Sequence, residues 1–184
     1  MKKIYLITLA FALLSGSLSA QKHITKEGVI EIFSETSMFT IEAKNQKVAS
    51  ILNTENGEIV ASTLVRSFKF HEALVEEHFN ENYMESHKFP KAVFKGTITN
   101  FNTVDLKKDG EYAVNIKGEL TMHGETRPVE TEGKLSVKGG KISAKAIFIV
   151  SLANYKIEIE ESYKDRIKDE IKLTVHFNYS PYNK

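Results

Sequence analysis

Six histidines are the residues of this sequence that could bind a metal or move a proton, but their spacing does not favour either role. His71, His78 and His87 lie seven and nine residues apart, which is neither the i, i+4 pair of a helical metal site nor a compact triad. His123 lies in a short connection, and His176 lies on the polar side of a predicted strand. The spacing therefore favours surface histidines over a metal site.

Other catalytic signatures are also missing from the sequence. It has no G-x-S-x-G, no phosphate-binding loop and no H-E-x-x-H, and the lack of cysteine excludes thiol nucleophiles, thiolate metal sites and disulfides. No acidic residue falls on the apolar side of a predicted strand, where burial would raise its pKa and prepare a general acid. We therefore expect a protein that is not an enzyme and has no cofactor and no metal. A small hydrolase or isomerase built on His123 and Glu125 is the least favoured alternative.

The overall charge and the length limit the classes of partner. The 184 residues include 25 basic and 24 acidic side chains, a formal charge of +1. A chain so close to neutral lacks the positive field that draws proteins to nucleic acid, so we expect no nucleic-acid partner. The length suits one domain.

The first twenty residues have the three parts of a secretory signal peptide. Lys2-Lys3 supplies positive charge, Ile4–Leu14 is apolar except for one threonine, and Ser15–Ala20 is small and mostly polar. We predict cleavage after Ala20, which removes two lysines and no acid and leaves a domain over 21–184 with a net charge of −1. The mature chain has no other apolar run long enough to span a bilayer. We expect it in the periplasm or outside the cell.

Apolar and polar residues alternate with a period of two through most of the mature chain, which predicts β-strands with one buried face. Asn56-Gly57, Asp109-Gly110 and Gly139-Gly140 favour the positive φ of tight turns between strands. Because one face of each strand is polar, the pattern favours an antiparallel barrel or sandwich over a parallel sheet. The predicted strands cover 28–34, 37–44, 47–53, 57–68, 91–101, 111–122, 127–138, 141–152 and 169–180.

Two segments depart from this alternation. Residues 71–86 contain good helix formers with apolar residues at four-residue spacing, which predicts an amphipathic helix of about four turns. Residues 154–170 are rich in charge and predict an exposed crossover, partly extended at Ile157 and Ile159. The apolar face of the predicted helix comprises Leu74, Val75, Phe79 and Tyr83.

The apolar strand faces contain small residues where a solid core would place large ones. Gly96, Gly118 and Gly133 fall on these faces, as do Ala144 and Ala146. Small residues leave room for a cavity, and an almost uncharged interior suits a long apolar ligand. Glycines are equally expected where strands bend to close a barrel, so both interpretations stay open.

Two stretches of the sequence resemble the YceI-like family. Phe89–Gly96 (FPKAVFKG), after the predicted helix, is similar to the family's aromatic-Pro-x-x-x-Phe strand start. Gly118–Val129 is similar to its Gly-x-Leu-Thr-x-His-Gly-x-Thr-Lys-x-Val hairpin, with arginine in place of lysine. The resemblance implies turn roles for His123 and Gly124. Asn154 stands where the family has an aspartate.

The resemblance to this family also implies a fold and a ligand class. It implies an all-β, eight-stranded antiparallel lipocalin-like barrel with one helix beside it, exported to the periplasm. It further implies an elongated apolar pocket for an isoprenoid or another long-chain lipid. Since nine strands are predicted, one of the early ones must then merge with a neighbour or be wrong.

We therefore expect a non-catalytic exported carrier whose partner is a long-chain lipid or isoprenoid, and a homodimer stays open. The alternative is a ligand-free barrel that serves in envelope stress or binds a protein through outer side chains such as Lys117 and Glu119. A continuous interior cavity would decide for the carrier. The predicted pocket residues are Phe94, Ile98, Tyr112, Val114, Ile116, Gly118, Leu120, Phe148, Val150, Val175 and Phe177, and the predicted gate residues are Leu74, Phe79 and Tyr83.

Overall fold

Strands make up most of the computed structural model, which describes residues 22–182. The predicted signal peptide lies outside these residues. No helix within 22–182 is long and apolar enough to cross a membrane, and the α-helix, α1, is Ala73–His78. The strands are β1 (Lys22–Glu35), β2 (Thr40–Asn53), β3 (Glu58–Leu64), β4 (Lys69–Phe70), β5 (Lys91–Ile98), β6 (Gly110–Met122), β7 (Glu125–Lys138), β8 (Lys141–Ser151) and β9 (Glu170–Pro181).

Eight of the strands form a closed antiparallel barrel. They pair in the order β1-β2-β3-β5-β6-β7-β8-β9, and β9 pairs with β1 to complete the ring. The two-residue β4 pairs with the first part of β2. This confirms the predicted eight-stranded barrel, and the predicted strands 37–44 and 47–53 merge into the single strand β2.

Residues with positive φ form two of the tight turns between strands. His123 (φ 50°) and Gly124 (φ 76°) join β6 to β7, and Gly139-Gly140 joins β7 to β8. Two-residue turns of this kind match the right-handed twist of the strands that they connect. The prediction for Asp109-Gly110 was wrong, because Gly110 already belongs to β6 and does not have positive φ.

The helical segment is shorter than the predicted four turns. α1 ends at His78, and a π turn over Phe79–Tyr83 follows it. The carbonyl oxygen of Glu76 accepts a hydrogen bond from the side chain of Asn80 (2.8 Å), and the carbonyl oxygen of Asn80 accepts one from the backbone N–H of Ser86 (2.8 Å). The side chain of Asn80 thus competes for a backbone carbonyl, which the spacing of apolar residues does not reveal, and the predicted length was wrong.

The two ends of the barrel carry different connections, and each contains a cluster of buried side chains. The upper end carries α1, the β6–β7 turn and the β8–β9 connection, and the lower end carries the termini of the described chain. The lower cluster includes Leu52 and Leu135, and the upper cluster includes Leu120, Tyr155 and Ile157. Burial of Ile157 shows that the charged β8–β9 connection also covers the upper end, which the prediction of an exposed crossover missed.

Candidate functional site

An apolar cavity of about 170 Å³ lies inside the barrel, between the lower and upper clusters. Aliphatic and aromatic side chains from alternate strand positions form almost all of its wall. Eight of the residues predicted from the sequence line it: Phe79, Phe94, Ile116, Leu120, Phe148, Val150, Val175 and Phe177. These eight residues thus lie in the cavity wall, and that they contact a ligand stays a prediction.

Three other predicted pocket residues lie in the packed lower end, away from the cavity wall. Ile98 and Val114 are buried in the lower cluster. Tyr112 packs against that cluster, and its hydroxyl lies within hydrogen-bonding distance of the carbonyl oxygens of Asp105 (2.9 Å) and Lys108 (3.0 Å). Alternation identifies the inward face of a strand but not the depth at which the lumen is filled. The cavity therefore occupies only the upper part of the inward faces.

Phe94 fills the space beside two facing glycines. Gly96 on β5 and Gly118 on β6 are directly paired. A Cβ atom on Gly96 or on Gly118 would lie 2.6 or 2.7 Å from the Cζ atom of the Phe94 ring. On Gly118 it would also lie 2.4 Å from the carbonyl oxygen of Lys95. These glycines permit a close approach of ring and backbone, so Gly118, a predicted pocket residue, is covered by Phe94 and does not line the cavity.

A second pocket of about 270 Å³, which we call the outer pocket, lies at the upper end between α1 and the β8–β9 connection. The predicted gate residues Leu74 and Tyr83 line it. Phe79 and Met84 line both the outer pocket and the inner cavity, so they stand between the two spaces. Burial, with the negative charge of Glu160 adding to it, raises the pKa of Tyr83 above its ordinary value of 10.0.

The sequence-based prediction missed several residues of the cavity wall. Ile30 and Ile32 line the cavity from β1. The alternation of apolar residues along this predicted strand could have identified them, but its inward face was not assigned. Val65, Phe68 and Met84 line it from turns near the helix, where side chains follow no regular period. No sequence pattern could have identified those three.

A hydrogen-bonded cluster around His123 joins three segments of the upper end, and we call it the His123 cluster. The ring Nδ1 lies 2.9 Å from the carbonyl oxygen of Tyr155, and Nε2 lies 3.0 Å from a carboxylate oxygen of Glu85, both within hydrogen-bonding distance. The ring centroid of Phe89 lies 4.8 Å from that of His123. Glu85, His123 and Lys156 are the only non-glycine residues of the described chain with positive φ, so backbone strain is concentrated here.

The pairing of charges near His123 fits a structural role in holding loops. Glu125, considered above as a partner of His123, instead contacts Lys156 (2.5 Å) and Arg127 (2.9 Å). The hydrogen bond from Lys156, with the charge of Arg127 adding to it, lowers the pKa of Glu125. Arg127 also donates from Nε to the backbone carbonyl of Asn154 (2.8 Å), a contact that does not depend on the side chain at that position. Within residues 22–182, no three His, Asp or Glu side chains form a group that could hold a metal ion.

An eight-stranded antiparallel barrel with an apolar interior and a covered upper end defines a lipocalin-like barrel protein. The chain belongs to the YceI-like family, because the model of the YceI-like domain matches residues 16–179. No curated protein matches the sequence.

Solved structures with the same fold share little sequence with this chain. A polyisoprenoid binding domain from Saccharophagus degradans, implicated in plant cell wall breakdown, is 12% identical with a TM-score of 0.77, over 89% of this chain and 99% of that one. BcnA from Burkholderia cenocepacia is 13% identical with a TM-score of 0.69, over 83% and 96%. The Campylobacter jejuni YceI protein is 11% identical with a TM-score of 0.54 over the full length of both chains. At these identities the likeness shows the shared fold alone.

Proposed function

We propose that this protein is a non-catalytic carrier that encloses the hydrocarbon chain of a lipid inside its barrel. The observation that supports the proposal is the apolar cavity between the two clusters, which the inward side chains leave unfilled. A closely packed protein interior has few voids larger than a water molecule, so a cavity of about 170 Å³ indicates a binding space. Each methylene buried there would contribute roughly 0.8 kcal/mol to binding.

The ligand class follows from the chemistry of the wall. Lys145, the one charged residue in the wall, is exposed on the outside of the barrel, so no charge compensates a buried ionic head group, which would lose several kcal/mol on leaving water. The chain of the ligand therefore occupies the inner cavity, and any polar head stays outside it, in contact with water. A polyisoprenoid fits this description, and the S. degradans domain of the same fold is described as a polyisoprenoid binding domain.

The carrier is proposed to act outside the cytoplasm. The signal-peptide pattern over residues 1–20 supports export and cleavage after Ala20. An exported carrier would move or sequester a lipid in the aqueous space between membranes or outside the cell, where free hydrocarbon is insoluble.

Native mass spectrometry with organic extraction, on protein purified from the envelope of its own host, tests the proposal. We expect a co-purifying long-chain lipid at a defined stoichiometry. Protein that carries no lipid and that does not bind cis-parinaric acid, a fluorescent polyene fatty acid, would favour the ligand-free interaction barrel.

A pair of alanine substitutions locates the binding space. Ala92 lines the cavity, whereas Ala113 faces outward on β6. Ala92→Phe places a ring in the cavity and should weaken binding of cis-parinaric acid at least tenfold, while Ala113→Phe should leave affinity unchanged. Circular dichroism on both variants verifies that the barrel is intact. Equal affinity in two folded variants would contradict an internal site.

A further inference from the structure

The ladder between β7 and β8 ends halfway up the barrel. Gly133–Lys138 of β7 pairs with Lys141–Ala146 of β8. Above Gly133, β7 remains paired with β6, and above Ala146, β8 remains paired with β9. The upper halves of β7 and β8, within the described chain, have no residue pairs with each other. We call the space between these two halves the β7–β8 slot.

Proline at position 128 gives a sequence reason for the slot. The two-residue turn makes Met122 and Glu125 a hydrogen-bonded pair of the β6–β7 hairpin. Hydrogen-bonded and non-hydrogen-bonded pairs alternate along an antiparallel ladder, so Pro128 falls in a non-hydrogen-bonded pair, and its backbone nitrogen faces β8 instead of β6. Proline has no N–H, so β7 cannot donate to β8 at that position. Just above the last pair of the ladder, Gly133 with Ala146, the hydroxyl of Thr131 donates to the carbonyl oxygen of Ile147 (3.1 Å). A side chain therefore ends the pairing.

Apolar side chains lie on both sides of the barrel wall at the slot. Val129 of β7 and Phe148 of β8 line the inner cavity. On the outer surface of β8, Ile147 and Ile149 are 51% and 63% exposed, which is high for isoleucine. The Arg127–Asn154 hydrogen bond bridges the top of the slot.

We propose that the β7–β8 slot is the entrance through which the hydrocarbon chain of the ligand reaches the inner cavity. This inference rests on the proposed carrier function and adds its loading route. The lower end is closed by packed side chains, and the upper end is covered by segments that the His123 cluster links together. Passage through the slot breaks no strand pairing, because none exists there. The apolar side chains on both faces of the wall give the chain a continuous path out of water.

The slot suits a hydrocarbon chain better than an added β-strand from another protein. An added strand needs free donors and acceptors along an edge, and Pro128 removes a donor. Glu130, on the outer face of the same edge, carries a charge and pairs with Lys117 (2.5 Å), and charged side chains discourage strand addition.

Cross-linking the slot tests the route, because the chain has no native cysteine. Extending the β7–β8 register places Glu130 opposite Ile149. Glu130→Cys/Ile149→Cys is bridged with a cleavable bis-maleimide. The matched control, Ile149→Cys/Lys172→Cys, joins two residues that are already paired between β8 and β9. Stopped-flow fluorescence with cis-parinaric acid gives association and dissociation rates.

Bridging the slot should slow association and dissociation by tenfold or more, leave the dissociation constant within about threefold, and be reversed when the linker is cleaved. The control bridge should change neither rate. Equal rates in both bridged proteins would overturn the entrance. Failure of the unmodified protein to bind any probe would instead overturn the carrier function.

Acidic substitutions on the outer surface beside the β7–β8 slot test the entrance without a cross-link. Ile147→Glu/Ile149→Glu should slow association several-fold, because the chain must pass two carboxylates. Ile51 and Val60 are a directly paired, exposed apolar couple on the β2–β3 wall, at 44% and 42% exposure. Ile51→Glu/Val60→Glu is thus the control and should leave the rate unchanged. If both double variants associate at the unmodified rate, the slot is not the route.

Discussion

His123 Nε2 lies within hydrogen-bonding distance of the Glu85 carboxylate (3.0 Å), although the two residues belong to different connections at the upper end of the barrel. Glu85 follows the π turn, and His123 forms the β6–β7 turn. The other ring nitrogen reaches the backbone of Tyr155 in the β8–β9 connection. One imidazole therefore fixes the cover of the cavity to the barrel, at the place where the backbone is most strained.

Replacement of His123 should loosen this cover. His123→Asn keeps a residue that tolerates positive φ, so the turn survives while the ring is lost. We expect the free energy of unfolding to fall by about 1–2 kcal/mol, because the partly buried hydrogen bond to Tyr155 and the ring contact with Phe89 disappear. Urea denaturation measures it. The control His176→Asn, at an exposed strand position, should change stability by less than about 0.5 kcal/mol.

Acid should weaken the contact between His123 and Glu85, because it protonates the Glu85 carboxylate. Desolvation opposes ionisation, but the hydrogen bond from His123 and the charge of Lys88 outweigh it and hold the pKa of Glu85 below its ordinary value of 4.5. A lowered pKa means that the carboxylate stabilises the fold above pH 4.5 and that this contribution is lost as pH falls through the folded-state pKa. Urea midpoints of Glu85→Gln should lie below those of the unmodified protein at pH 5–7, and the gap should close in stronger acid. A gap independent of pH would show that ionised Glu85 is not the stabilising form.

The paired glycines under Phe94 should not tolerate a side chain. In Gly118→Ala, the new Cβ would lie 2.4 Å from the carbonyl oxygen of Lys95 and 2.6 Å from the Cα of Gly96, so backbone must move. We expect a loss of about 1–3 kcal/mol. Gly110→Ala on the same strand is the control, since its Cβ would approach only Tyr112, at 3.5 Å, and its stability should be unchanged or slightly higher. Similar urea midpoints for the two variants would refute the close-approach role of Gly118.

The barrel could be predicted from the sequence because its determinants are local. Alternation with a period of two identifies each strand and its inward face, and glycine pairs such as Gly139-Gly140 mark the turns. The same reasoning located Phe94, Leu120 and Phe148 in the cavity wall. These assignments need no knowledge of how distant strands meet.

Depth within the lumen could not be predicted, because it depends on contacts between distant strands. Ile98 and Phe94 lie on one face of the same strand, yet Ile98 is in the packed lower cluster and Phe94 lines the cavity. Gly118 is inward-facing and small, but a ring from β5 takes its space. The β7–β8 slot depends on which side of β7 the missing N–H of Pro128 faces, and that requires the hairpin register.

The lower end contains a buried hydroxyl pair that should make stability fall in alkali. Tyr179 Oη lies 2.9 Å from Ser50 Oγ, and burial raises the pKa of Tyr179 to about 12 despite that hydrogen bond. The unfolded chain ionises this tyrosine near its ordinary value of 10.0, so the unfolded state gains stability as pH rises from 10.0 toward 12. A pKa raised from 10.0 to about 12 corresponds to a total loss of about 3 kcal/mol once Tyr179 has ionised in the folded state as well.

Tyr179→Phe isolates this contribution from that of the other tyrosines. The variant should be about 1 kcal/mol less stable at neutral pH, since Ser50 loses its partner, but its stability should fall less steeply above pH 10. The two curves of unfolding free energy against pH should therefore converge or cross in alkali. Parallel curves would mean that Tyr179 ionises equally in the folded and unfolded states, and that its hydroxyl is hydrated in the folded barrel.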